Sequence, residues 1–380
     1  MRHTQEMSQR TKTKLEAMKR LKSARLHPKA LFRPESPLTQ STPSYADSLL
    51  VLFLLAVLSP SAGAAVFFNY DYSEAPHFDA TSKASLEAAS SRVTSYFTSY
   101  TASITIKVTS SNANNSTLAS AGSAFPSTGS VGFANRGIVG TKIISNGASD
   151  PNGTAFDGEV DVNFHHNWDF DDDIAAGSFD FQSTMMHELL HAVGFSSSIT
   201  EDGEDPFGTQ PGNPGAWAPF DEFVADADVR IIGTDAILDE DDWLGARSDG
   251  AGTAPPADGL YFAGPQAVAA NGGHFVPLYS PDPWEDGSSG SHLDDDYFTG
   301  EDALLMNAAT NTGPGIRSLS SIEIGILKDI GFTAVPEPWH YSGVVSGSLV
   351  AYSLMRRKRR ASALRHWGHS QGINRRKRAG

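Results

Sequence analysis

The chain has 380 residues and no cysteine. That absence excludes disulfides, thiolate zinc sites and cysteine nucleophiles together, so any bound metal must rest on histidine and carboxylate ligands. Basic side chains are almost as scarce through the middle. Residues 65–338 carry nine Lys or Arg against forty Asp or Glu, a formal charge of about −31, whereas residues 1–47 and 356–380 carry ten Lys or Arg each. A surface of that sign repels phosphate backbones and excludes nucleic acid as a partner of the folded part, while favouring solubility and attracting cations such as Ca2+. Long hydrophobic runs are missing too, since none reaches the roughly 20 residues of a comfortable transmembrane helix. What is present, 39% apolar and 10% aromatic residues, suffices for the core of one large domain or two smaller ones.

The two ends read as addresses. Ser48 to Leu58 (SLLVLFLLAVL) is a short apolar run followed by SPSAGAA, with small residues at Ala62 and Ala64. This is the pattern of a secretory signal h-region and cleavage site. The competing reading, a buried helix of the mature domain, fits the flanking charges and the A-x-A pattern less well. Residues 1–64 are therefore expected to be a basic extension and signal peptide, either an extended signal or one preceded by a translation start placed upstream. Near the other end, Val335-Pro336-Glu337-Pro338 precedes about 17 apolar or small residues, Trp339 to Met355, and then Arg356-Arg357-Lys358-Arg359-Arg360. This order resembles the PEP-CTERM sorting signal, although Ser342, Ser346, Ser348 and Ser353 dilute its hydrophobicity and a basic tail, 361–380, follows it. The resemblance implies handling by exosortase-type sorting machinery and transient membrane contact through 335–360. It also implies export to the periplasm, outer surface or extracellular matrix of a Gram-negative bacterium. A plain terminal anchor is the alternative, with the arginines held on the cytoplasmic side.

Between these ends, 65–334 is expected to form one catalytic domain. Leu86, Ala89, Val93 and Phe97 recur at helical spacing within Ser82 to Tyr100. Ala102 to Val108 (ASITIKV) alternates, with Ile104, Ile106 and Val108 on one side, and predicts a half-buried strand. A Ser, Gly and Asn-rich stretch then predicts loops joining short strands. Gly158 to Phe164 (GEVDVNF) alternates again and predicts a second strand, placed at an edge. From Asp180 the period turns helical, with Met186, Leu189, Leu190 and Val193 as the apolar stripe. Asp180 or Ser183 is the expected N-cap, and Gly194 the stop.

That helix carries HELLHAVGF from His187 to Phe195. Residues four apart share a helical face, so His187 and His191 can reach one Zn2+ at about 2.0–2.1 Å each. Glu188, beside the first histidine, is then placed as general base toward a water. The pentad alone is one that chance can supply. The apolar stripe, the glycine stop and the export signal argue against a helix that merely exposes two histidines.

A catalytic zinc normally keeps three protein ligands. The compact metzincin pattern HExxHxxGxxH requires histidine at position 197, and this chain has Ser197. Downstream stand GSHLD at Gly290 to Asp294, ALLMNAAT at Ala303 to Thr310, and SLSSIEIGILKDIGF at Ser318 to Phe332. In this order the motifs resemble the leishmanolysin-like metzincins over about Gly158 to Phe332. The resemblance implies His292 as third ligand, Met306 as the methionine of a Met-turn, and an α+β fold with a mixed twisted sheet over the active-site helix. It also implies a C-terminal subdomain ending in a helix, and substrate lying along an edge strand, for which Glu159, Val160, Asp161, Val162 and Asn163 are the candidates. His274 and Glu222 compete with His292. Favouring His292 are its 14-residue distance from Met306 and the flexible SSGS before it. A lone methionine such as Met306 is more often core filler.

Ser320 and Glu323 form a capping box for the last helix, with Ile322, Ile326, Leu327 and Ile330 as its stripe and Gly331 as its stop, a reading that makes it scaffold. The acidic clusters at 169–173, 201–205, 239–242 and 294–296 can each hold Ca2+, yet none matches an EF-hand or RTX repeat, and solvated surface is the expectation. Adjacent strand residues point to opposite faces, which argues against a shared metal role for His165 and His166. Taken together, these features predict an exported zinc endopeptidase acting on protein or peptide substrates, with one catalytic Zn2+. The rivals are a catalytically silent surface or matrix protein, a gluzincin-type enzyme with a carboxylate ligand, and an enzyme acting on a non-protein amide. Val66 to about Tyr100 is a candidate propeptide.

Overall fold

The alternating stretches build the first layer. In the computed structural model, which describes residues 65–247 and 259–332, strand β1 (Val66–Glu74) leads into helix α1 (Ala80–Thr94) and then strand β2 (Ala102–Ser111). Ile104, Ile106 and Val108 of β2 are fully buried. Strand β3 (Ala119–Ser123), helix α2 (Ile138–Ile144) and strand β4 (Gly158–Asn163) complete a four-stranded sheet of order β1-β2-β4-β3. β1, β2 and β4 run parallel and β3 runs antiparallel to β4, so the sheet is mixed and the fold is α+β.

This order corrects one expectation. Glu159 to Asn163 lies inside the sheet, hydrogen-bonded to β2 on one side and β3 on the other. The edge on that side is β3, whose sequence ASAGS has no apolar alternation to announce a strand. Val66 to Tyr100 is likewise built into the core, because β1 is in register with β2 and Leu86, Ala89, Val93 and Phe97 are fully buried. Its removal would strip a strand and a helix from the layer, which is not the behaviour of a separable propeptide. The Ser, Gly and Asn-rich stretch contains α2 as well as loops, with Lys142 of that helix bonded to both carboxylate oxygens of buried Asp157 at 3.1 and 3.0 Å.

The short parallel pair β5 (Trp168–Asp169) and β6 (Phe179–Asp180) delivers the chain into helix α3 (Phe181–Val193). This helix packs against α1 and β3, with Phe181, Met185, Met186, Leu189, Leu190 and Ala192 fully buried. Beyond it regular structure thins out. Two-residue strands β7 (Val224–Ala225), β8 (Tyr261–Phe262) and β9 (Val276–Pro277) form a small antiparallel sheet, with helices α4 (Glu240–Ala246) and α5 (Pro265–Ala270) between them. Helix α6 (Ser321–Asp329) closes the described chain, and it starts with the expected Ser320–Glu323 capping box. It lies so close to α5 that a Cβ at Gly325 would meet the Ala267 backbone at 2.7 Å. Asp329 in turn accepts the first backbone N–H groups of α5, from Gln266 and Ala267. One hydrophobic cluster runs from Val66 through α3 to Phe332.

The basic extension, the Ser48–Leu58 run, the PEP-CTERM-like segment 335–360 and the tail 361–380 lie outside the described residues. Among the described residues, no helix is long and apolar enough to cross a membrane.

Candidate metal centre

Helix α3 is fixed at both ends. Asp180 is the N-cap: its carboxylate accepts the Ser183 N–H at 3.0 Å and the Gly315 N–H at 3.1 Å, and it is gripped by Arg317 through Nε at 2.8 Å and Nη2 at 2.9 Å. A carboxylate there also complements the positive end of the helix dipole. Arg317 reaches further, to Asp172 and the Asp171 carbonyl, so the start of the helix is tied to the segment leading into α6. At the other end Gly194 takes φ 122°, a conformation L side chains rarely adopt, and turns the chain back beneath the last turn.

His187 and His191 project from one face of this helix, and His292 arrives from a loop about a hundred residues on. Their three Nε2 atoms stand 3.0 Å apart in every pairing. Each ring uses its other nitrogen to donate to a backbone carbonyl: His187 Nδ1 to Leu305 O at 2.8 Å, His191 Nδ1 to Phe195 O at 2.7 Å, and His292 Nδ1 to Ser288 O at 2.8 Å. With the proton held on Nδ1, each Nε2 presents a lone pair to the common point. Burial lowers all three pKa values, that of His187 to about 3, with the nearby His292 adding to the effect at His187 and His191. Three neutral imidazoles without Nε2 protons cannot hydrogen-bond one another across that gap, so the arrangement is one of donors converging on a cation. Bonds of about 2.0–2.1 Å to a shared ion place three nitrogens about 3–3.5 Å apart, which these meet. Among the described residues this is the group of His, Asp and Glu side chains placed to share a metal ion.

The loop bearing His292 owes its shape to hydrogen bonds rather than to regular structure. Gly290 adopts φ 73°, the Tyr279 N–H donates to His292 O at 2.9 Å, and the Ser291 hydroxyl accepts the Ser197 N–H at 3.2 Å. Leu293, the next residue, donates to Met306 O at 2.8 Å and accepts from the Ala308 N–H at 3.2 Å. Met306 is fully buried. The segment around it therefore bonds to the neighbourhood of two histidines, through Leu305 O to His187 and through Met306 O to Leu293.

Glu188 is buried beside this group, with 7% of its surface exposed. Desolvation pushes its carboxyl up to about 8, opposed by a hydrogen bond from the Ala121 backbone on β3. The edge strand and the glutamate next to the histidines are thus in contact.

Of the competing ligands, His274 is exposed in the turn after α5 and Glu222 pairs with Arg230 at 3.7 Å; neither joins the group. His166 bonds through Nε2 to Thr117 O at 2.9 Å, away from it. The acidic clusters are less uniformly solvated than their composition implies. Asp205 is buried and accepts the N–H groups of Phe207, Thr209 and Ala216, Asp294 is buried beside His292, and Asp239 caps α4. Their carboxylates serve main-chain donors, as those of an irregular domain must.

Sequence reasoning missed the pairing of Asp180 with Arg317, and buried Asp221, which accepts from the Ser197 hydroxyl, both the N–H and hydroxyl of Ser198, and the Ala218 N–H. A signal for Arg317 existed: it is one of only nine basic residues in the acidic stretch 65–338. The chain matches no protein-family model, and no curated protein matches it significantly.

Proposed function

We propose that this chain is an exported zinc-dependent metalloendopeptidase of the leishmanolysin-like metzincin type. The observation that carries the reading is the convergence of His187, His191 and His292 on one point beside buried Glu188. An all-imidazole set of three suits zinc, and three protein ligands leave a position open, as catalytic rather than structural zinc sites do. The mixed sheet, the buried Met306 segment bonded to both ligand-bearing regions, and the closing α6 agree in order with that family. Export rests on the signal-like 48–64 and PEP-CTERM-like 335–360 segments.

When bound, zinc supplies Lewis-acid polarisation of a scissile carbonyl and acidification of a water. The chain's own part begins with Glu188, which takes a proton from the attacking water at its carboxylate and returns it to the leaving amine nitrogen. Burial raises the proton affinity of this carboxyl in the metal-free chain, and the charge of a bound zinc ion would draw it back down toward the range in which one group can accept and return a proton. The three backbone carbonyls hold the imidazoles in the ligating tautomer. The outer side of β3, where the Ala121 backbone meets Glu188, is the flank of the sheet along which an extended peptide would lie, and it replaces Glu159 to Asn163 as the candidate substrate strand.

Zinc analysis and casein cleavage by the purified chain test the proposal. Wild type binds one Zn2+ and cleaves, His292→Ala loses zinc, and Glu188→Ala keeps zinc without cleaving. Unchanged zinc stoichiometry and affinity in His292→Ala would sink the ligand assignment. Zinc retained without cleavage by wild type would favour a silent surface protein of the same fold.

A further inference from the structure

Glu323 was expected to do no more than cap α6, and half of its carboxylate does so. Oε2 accepts the Ser320 N–H at 2.6 Å. Oε1 looks elsewhere, accepting the Met306 N–H at 2.8 Å across 17 residues of sequence. The side chain is fully buried, a costly place for a carboxylate unless donors surround it. Those donors come from two segments, Ser320 on one side and Leu305 and Met306 on the other.

The Met306 N–H and the Leu305 C=O belong to the same peptide unit. Its carbonyl oxygen accepts the His187 Nδ1–H at 2.8 Å. Partial double-bond character keeps the unit planar, so fixing its N–H fixes the direction of its carbonyl. A carboxylate accepting at the N–H also draws electron density toward the carbonyl oxygen and strengthens the bond that oxygen makes. One bond further, Met306 O holds Leu293, the neighbour of His292.

We propose that Glu323 is a positioning residue of the metal centre, acting on His187 through the Leu305–Met306 peptide as a carboxylate–peptide–histidine relay. This rests on the reading of the three histidines as a zinc site, and it gives the terminal helix a part in tuning that site. In metal sites where a carboxylate bonds the ligating histidine directly, its loss costs about 10–100-fold in affinity. With a peptide interposed, roughly tenfold is expected here.

The test is Zn2+ affinity of the full chain by competition with a chromophoric chelator, in wild type, Glu323→Gln, Glu323→Asp and Ser320→Ala. Gln has one acceptor oxygen and can serve only one of the two amides. Asp keeps the charge on a stem too short to span both. Ser320→Ala removes the hydroxyl cap but leaves the Met306 contact intact. Glu323→Gln should bind Zn2+ about tenfold more weakly and exchange the Met306 amide hydrogen faster in the metal-free chain. Ser320→Ala should melt earlier yet bind Zn2+ within twofold of wild type. If Glu323→Gln fails to fold, Glu323→Asp carries the comparison with the same expectation. Affinity within twofold of wild type in the folded Glu323 variants, or an equal loss in Ser320→Ala, would overturn the relay while leaving the zinc reading standing. No zinc binding by wild type would overturn both.

Discussion

The two halves of the described chain contribute to the same point by different physics. The first half places His187 and His191 on a helix, where a four-residue spacing guarantees that they share a face, and that helix is held by a capped start and packing against α1 and β3. The second half places His292 on a loop whose conformation rests on hydrogen bonds to Tyr279, Ser197 and Met306 rather than on a repeating backbone. Helical geometry is local and tolerant, whereas loop geometry is the sum of contacts reaching across the chain. The first half should therefore fail through its few anchors, and the second gradually, one bond at a time.

The largest effect tests the peptide hydrolysis proposed for the point on which both halves converge. Glu188→Gln, which keeps the shape and loses the base, should lower kcat/KM on a peptide substrate about 10²–10⁴-fold with zinc content unchanged, measured by steady-state kinetics beside metal analysis. Next come the anchors. Asp180→Ala removes a buried cap and one of the two carboxylates that Arg317 grips, and should cost about 2–4 kcal/mol in denaturant unfolding. The same substitution at Asp79, the exposed N-cap of α1, should cost clearly less. Equal losses at the two caps would erase the distinction between a helix pinned from afar and one capped locally.

A third comparison uses pH. Burial raises the Asp221 carboxyl to about 6, against donors from Ser197, Ser198 and Ala218 that pull it down. Between the ordinary carboxylate range and pH 6 the native state then holds a proton the unfolded state has lost, so stability falls as pH rises through that window. The loss is at most on the order of 3 kcal/mol. Asp221→Asn cannot titrate, and the difference in unfolding free energy, wild type minus variant, should decline from pH 4 to pH 7. A flat difference would mean that the loop donors already stabilise the carboxylate fully. The smallest effect is none: His274→Ala and Glu222→Ala should leave Zn2+ affinity unchanged in chelator competition.

What could be read from sequence follows the same division. The period of 3.6 marked α3 and α6, including Gly194 and the Ser320–Glu323 box, and alternation marked β2 and β4. His187, His191 and Glu188 followed from one pentad, and His292 from the order of motifs around Met306. β1 carried a readable alternation in Phe68, Tyr70 and Tyr72, which pack partly buried against the core. β3 carried none, because ASAGS is made of small residues that suit an edge without declaring one. The order of the strands was closed to inspection for the same reason, and β4 was placed outside although β3 covers it. Contacts spanning more than a hundred residues, such as Arg317 with Asp180, depend on the assembled fold and leave only a compositional trace.

All three ring N–H groups end on main-chain oxygens, at Leu305, Phe195 and Ser288. No side chain has to be any particular residue for those oxygens to exist; the three bonds ask only that the backbone keep its course, while Phe195 and Leu305 owe their identities to the core that buries them. An engineer wishing to transplant this centre could not copy four side chains onto a new helix. Three lengths of polypeptide, with their paths intact, would have to travel with them.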